Sequence, residues 1–211
     1  MSLTKLIGNF MKKLFACLLI IGATGMASAQ VSNFTGFSGA VNLSTVSSRT
    51  EVESQFQLAG DNWGGSVQAA YGLELSSSSV IGFGMNYSLG KSKSGTAYDN
   101  KVATDTLNIK NQYSFYLEPG SLLSDNTLLY GKISVEKGKF AVTSTPASNG
   151  FSKSISGTGY GAGLRHMLDK SKFVQVEFMK VAYKTTTPPA DLTLKLKSST
   201  TLGTIGIGMK F

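Results

Sequence analysis

Residues 203–211 read GTIGIGMKF and alternate without a break. Gly203, Ile205, Ile207, Met209 and Phe211 share one parity; Thr204, Gly206, Gly208 and Lys210 share the other. A period of two marks a β-strand with two different faces. Chain ends fray in solvent unless something ties them down. A strand ending on an aromatic is therefore expected to pair along its length with a strand elsewhere in the chain.

Seven earlier segments carry the same signature. The first, near 34–47, sets Phe37, Val41 and Leu43 against Ser38, Asn42 and Ser44. In the second, Val67, Ala69, Tyr71, Leu73 and Leu75 oppose Gln68, Ala70, Gly72 and Glu74; in the third, Ile81, Phe83, Met85, Tyr87 and Leu89 oppose Gly82, Gly84, Asn86 and Ser88. The fourth opposes Leu107, Ile109, Tyr113, Phe115 and Leu117 to Asn108, Lys110, Gln112, Ser114, Tyr116 and Glu118. Ile133 and Val135 oppose Lys132, Ser134 and Glu136 in the fifth. Thr158, Tyr160, Ala162 and Leu164 oppose four glycines and Arg165 in the sixth. The seventh starts with Val174, Val176 and Phe178 against Gln175 and Glu177, then changes parity at Met179, Val181 and Tyr183, which predicts a bulge at Lys180.

Connection lengths give independent support. Short links (76–79, 119–126, 167–172) alternate with long ones of 17, 15, 17 and 17 residues at 48–64, 91–105, 137–153 and 184–200. Loops this long are uncommon in compact soluble domains. Outer-membrane barrels combine short periplasmic turns with long extracellular loops, and a tilted strand crosses the membrane in roughly 9–11 residues. Lipid tolerates no open sheet edge, so the first strand is predicted to pair with the last. Phe211, Phe34, Phe37, Phe115 and Phe173 then fall at the inner aromatic girdle, with Tyr87 and Tyr183 near the outer one. A soluble β-sandwich also alternates, but here the small and paired-charge residues line one face of every segment.

The N-terminus fits export. Lys12 and Lys13 precede an apolar run from Leu14 to Ile21 and the small-residue end Ala27-Ser28-Ala29. That pattern predicts a signal peptide over 1–29, with Met11 as an alternative start, and one barrel domain over 30–211. The single cysteine, Cys17, lies in the signal, so no disulfide is expected. One histidine argues against a multi-His metal site. Removing Lys5, Lys12 and Lys13 from the 20 basic residues leaves 17 against 12 acidic, a net +5. For an exported chain that excess points to anionic lipid, not nucleic acid.

The cleaved signal, the eight alternating segments and the terminal GTIGIGMKF resemble small Gram-negative outer-membrane barrels of the OmpA/OmpX and opacity-protein kind. That resemblance spans about 31–211. It implies an eight-stranded antiparallel up-and-down transmembrane β-barrel, integral to the outer membrane, with Phe211 as the signal read by the assembly machinery. No periplasmic peptidoglycan-binding domain is expected after the barrel, so the resemblance does not extend to that anchoring role.

Chemistry-bearing motifs are sparse. GTGYGAG at 157–163 lacks the phosphate-loop spacing and no helix follows it, which leaves small side chains filling a narrow interior. A lipid-modifying His/Ser site needs its histidine at the outer rim beside a nucleophile and a carboxylate. His166, in RHMLD, falls at the periplasmic end instead. No cofactor is expected. Eight ionisable residues take the polar parity: Glu74, Glu118, Glu136, Glu177, Lys110, Lys132, Arg165 and Lys210. Their charges cancel, as in a structural plug, whereas a selective pore carries an excess of one sign.

The four long loops sum to −2, +1, +3 and +2, so the outer end carries most of the basic excess, facing the phosphates of lipopolysaccharide. The expected function is a non-enzymatic barrel with a plugged lumen, serving envelope structure or surface interaction through its outer loops and any ligand they hold. The alternatives are a narrow porin-like channel for ions or small solutes and, less favoured, a lipid-modifying enzyme.

Overall fold

The computed structural model describes residues 31–52, 56–99, 103–145, 152–185 and 196–211. The signal segment predicted over 1–29 lies outside them. A one-turn 3₁₀ helix, Val31–Phe34, precedes nine strands: β1 (Gly36–Val52), β2 (Phe56–Ser76), β3 (Ser79–Ser88), β4 (Ser92–Asp99), β5 (Ala103–Ser124), β6 (Thr127–Thr145), β7 (Ser152–Met167), β8 (Lys172–Tyr183) and β9 (Leu196–Lys210). Every pairing is antiparallel between neighbours, and β1 pairs with β9 from Ser38↔Lys210 to Val52↔Leu196. The ring is closed. β3 and β4 pair with successive stretches of β5, Tyr87↔Tyr113 and then Ser92↔Ile109, so they are two pieces of one wall. Nine segments thus build eight staves, and the terminal strand is locked between β1 and β8. The Phe211 amide adds a last bond to the Phe37 carbonyl at 2.9 Å.

Facing follows the alternation over most of the wall. Phe37, Val41, Leu43, Phe115, Val135, Phe178, Ile205, Ile207 and Phe211 point outward, while Asn42, Ser44, Gln68, Ser114, Tyr116, Lys132 and Ser134 are buried in the lumen. Several sequence expectations fail, each for a local reason. Asn111, at φ 50°, forms a bulge in β5: the register runs from Lys110↔Lys139 to Tyr113↔Lys137, two residues against one. Below the bulge even positions face inward. Above it Leu107 and Ile109 do, and Lys110 is turned to the outer wall.

No bulge exists at Lys180. The β7–β8 register is continuous from Gly157↔Tyr183 to Met167↔Phe173, so Val181 and Tyr183 are buried inside and Lys180 faces outward. Phe34 and Phe173 are likewise not girdle residues; both are buried in the apolar cluster that closes the inner mouth.

The long connections are mostly ladder. β1 and β2 stay paired to Val52↔Phe56, β4 and β5 to Asp99↔Ala103, and β6 and β7 to Ala141↔Ser152. Seventeen residues in β1 reach about 55 Å at ~3.3 Å per residue, far beyond an apolar band about 25 Å tall. Outside lipid neither face need be apolar, so alternation disappears from the sequence while backbone pairing continues. Hydroxyl pairs knit the lumen side of the β1–β9 seam from mid-barrel outward: Ser44 with Thr204 (2.8 Å), Ser48 with Thr200 (2.9 Å) and Thr50 with Ser198 (2.9 Å).

The lumen is layered. At the inner mouth the 3₁₀ helix drives Val31 and Phe34 against Ala40, Val80, Leu128, Tyr130, Met167 and Phe173. A second apolar cluster, of Leu107, Ile109, Phe140, Ile155, Val181, Tyr183 and Leu196, fills the outer part. Polar and charged side chains occupy the space between.

Candidate functional site

The middle layer centres on four charges from four consecutive strands. Glu118 (β5) receives Arg165 Nη2 (β7) at 3.1 Å and lies 3.0 Å from Lys132 Nζ (β6); Lys132 also bonds Glu177 (β8). Each strand contributes on its inward parity, and the closed ring brings positions 118, 132, 165 and 177 to one height. Two acids and two bases cancel. The chain of bonds continues: Arg165 Nε donates to Gln175 Oε1 (3.1 Å), and Gln175 Nε2 donates to Asn42 Oδ1 (3.0 Å) and Gln68 Oε1 (3.2 Å). The Tyr130 hydroxyl donates to Glu177 at 3.3 Å. Lys132 stands 4.2 Å over the Tyr116 ring, and Arg165 lies between Tyr130 (5.2 Å) and Phe173 (5.0 Å). Bonded to one another in this way, the polar side chains form one connected network across the middle of the barrel.

Two of those aromatics fit because the residue directly across the ladder is glycine. Gly84 faces Tyr116 and Gly163 faces Tyr130. A Cβ at Gly163 would come within 2.5 Å of the Tyr130 hydroxyl and ring. The glycine run of β7 is therefore a packing feature.

Of the eight charges read from sequence, only Glu118, Lys132, Arg165 and Glu177 meet. Glu74 is exposed at the inner rim, next to the register shift that ends β2. Lys110 faces outward because of the Asn111 bulge. Lys210 lies at the inner mouth and bonds the Ser32 carbonyl, tying β9 to the N-terminal plug. Glu136 is buried in the lumen but stands apart, accepting a 2.6 Å bond from the Ser134 hydroxyl. The amide cluster of Asn42, Gln68 and Gln175 was not anticipated. Inward parity was its only signal in the sequence, and amides at such positions do not announce which partners a register will bring.

His166 is exposed at the inner end, its Nδ1 3.0 Å from the Thr127 hydroxyl. Among the described residues no group of three or more His, Cys, Asp or Glu is placed to hold a metal. In the turn after β7, the Asp169 carboxyl accepts the Ser171 and Lys172 amides, which lower its pKa to about 2.

The outer wall carries a basic strip. Lys110 directly opposes Lys139 across the β5–β6 ladder, and Lys137 follows two residues below on the same face, beside Tyr113. Like charges placed opposite one another destabilise a sheet. Among the described residues no acid forms an ion pair with them. Lys137 is ten residues up from Thr127, which at ~3.3 Å per residue and a tilt of about 40° sets it roughly 25 Å above the inner turn. That is the upper edge of an apolar band.

Comparison with families of known proteins matches residues 15–211 to the outer membrane protein beta-barrel domain. No curated protein sequence matches the chain. Among solved structures, Ail, the attachment invasion locus protein of Yersinia pestis, superposes with a TM-score of 0.52 at 15% identity, covering 84% of this chain and 100% of that one. Neisserial surface protein A superposes with a TM-score of 0.51 at 13% identity, covering 82% and 97%. At that identity the likeness establishes the fold alone. The Escherichia coli outer membrane protease OmpT, at a TM-score of 0.49 and 11% identity over 89% of this chain and 99% of that one, is too loose a superposition to bear on activity.

Proposed function

From its membership of the outer membrane protein beta-barrel domain family, to which this chain belongs, we propose that it is a non-catalytic barrel with a closed lumen that acts at the cell surface. It is integral to the outer membrane of a Gram-negative bacterium, and residues 1–29 serve as its export signal. Its work lies on the outer wall and on the hairpin ends above it, where lipopolysaccharide is the natural partner. The observation that carries this reading is the opposed Lys110–Lys139 pair with Lys137 below it, at the height of outer-leaflet head groups. A like-charge pair costs stability unless an anion bridges it. Lipid-borne phosphate supplies that anion.

The test replaces all three lysines with serine and follows thermal unfolding of the purified barrel with and without lipopolysaccharide. The lipid is expected to raise the unfolding temperature of the unmodified protein. The triple variant should lose most of that rise; an equal rise in both would overturn the reading. A narrow channel is the second reading, favoured by a cavity in the outer lumen and opposed by the ion-pair layer beneath it. Planar bilayers separate the two: the closed barrel shows no steady conductance, and a stable ion-selective level would put the channel first.

A further inference from the structure

We propose that the outer half of the lumen contains a dead-end binding site for a small monovalent cation, with the Glu136 carboxylate as its counter-charge. The charge balance raises the question. Glu118 and Glu177 are matched by Lys132 and Arg165, which leaves Glu136, among the described residues, as a fifth charged group of the lumen outside any ion pair. It is 9% exposed, and among the described residues no lysine or arginine forms an ion pair with it. Lys132, four residues below on the same strand, is already engaged by Glu118 and Glu177. A buried carboxylate without a counter-charge is costly. Either a proton or a cation must neutralise it.

A cavity beside the carboxylate gives a cation room. Glu136 borders a cavity of about 70 Å³ with a mixed lining: Ser114, the mutually bonded Ser92, Gln112 and Tyr183, and apolar side chains such as Val46 and Leu202. One water position needs ~10–15 Å³ of such space, so a small cation fits there together with several waters. Hydroxyl, amide and carboxylate oxygens are hard donors. A single negative charge suits a monovalent ion better than calcium, whose sites gather several carboxylates. Lys91 at the mouth and Lys132 at the floor oppose a second positive charge.

An entry route exists as well. The β2–β3 register ends at Ser66↔Ser88, followed by one more bond from the Leu89 amide to the Gly65 carbonyl (2.8 Å), and beyond it β4 pairs with β5 only. The cavity reaches the wall at this seam, at Gly64, Gly65, Gly90 and Lys91. Across it Asn62 acts as a clasp, donating to the Lys91 carbonyl (3.0 Å) and accepting the Lys93 amide (3.2 Å). Below Glu136 the ion-pair layer closes the lumen, so the site leads nowhere. It is independent of the lipid-binding surface.

The test uses the folded barrel in nanodiscs at neutral pH, with ¹³C-labelled glutamate carboxyls. Ionic strength is held constant while N-methylglucamine is exchanged for potassium or ammonium. One carboxyl resonance, missing in E136Q, should show the shift of a carboxylate and move saturably with the small cation. A resonance at the protonated position, indifferent to potassium and ammonium, overturns the proposal; so does a response that persists in E136Q. Should E136Q fail to fold, Ser92→Val narrows the cavity and leaves Glu136 in place. It should keep the resonance and lose the response, and an unchanged response would equally refute the site.

Discussion

Replacing Arg165 with leucine removes one of the four charges at the centre of the lumen's middle layer. Glu118 then shares Lys132 with Glu177, and three buried charges remain where two pairs stood. Breaking a buried pair from one side costs about 3–5 kcal/mol. Losing the guanidinium between Tyr130 and Phe173 adds about 1 kcal/mol. Leucine in the same space returns roughly 1–2 kcal/mol of apolar contact. The net expectation is a loss of about 2–5 kcal/mol. Glu118→Gln alone should cost a similar amount, because Arg165 loses its carboxylate. The double variant keeps one neutral pair, Lys132 with Glu177, and should be little worse than either single change. That corresponds to a coupling of about 2–3 kcal/mol.

Urea unfolding in phospholipid vesicles can be followed by the fluorescence of Trp63, the single tryptophan, which stands 69% exposed on the outward face. Additivity of the two changes within about 0.5 kcal/mol, or a cost below about 1 kcal/mol for Arg165→Leu, would refute the reasoning. The charged layer would then be solvated and contribute nothing to closure.

Gly163→Ala should cost about 1–3 kcal/mol by overpacking against fully buried Tyr130, whereas Gly90→Ala, with open space around it, should stay within about 0.5 kcal/mol; the same urea assay reads both. Deleting Phe211, which is 82% exposed and bonded through its amide to Phe37, should leave an exported protein without the heat-sensitive electrophoretic shift of a folded barrel; normal insertion would show that this residue is not read during assembly. A thiol reagent applied to intact cells should label a cysteine at Asp61, on the outer part of β2, and spare cysteines at Ser78 or Lys170, and labelling at Ser78 would invert the barrel. Asn149 and Pro189, which the loop pattern also assigns to the outside, lie beyond the described residues.

Where lipid touches the wall, one face must be apolar and the other must fill a narrow lumen, so the alternation is written directly into residues such as 67–75 and 203–211. The strand number, the pairing of last strand with first, and the inward parity of Glu118, Lys132, Arg165 and Glu177 are all legible there. Three kinds of information are not. Position 111 has no signature of its bulge, since one inserted residue shifts every later parity yet leaves local composition unchanged; only the β5–β6 register turns Lys110 outward to face Lys139. Inside the outer part of the barrel Val181, Tyr183, Leu107 and Ile109 are apolar on the inward face, the reverse of the membrane rule, because there the lumen is a core and the outside is water. And the height at which inward residues of different strands meet depends on stagger around the closed ring. Stagger joins Glu118 to Arg165 and Lys132, and it leaves Glu74 at the rim, Lys210 at the mouth and Glu136 alone.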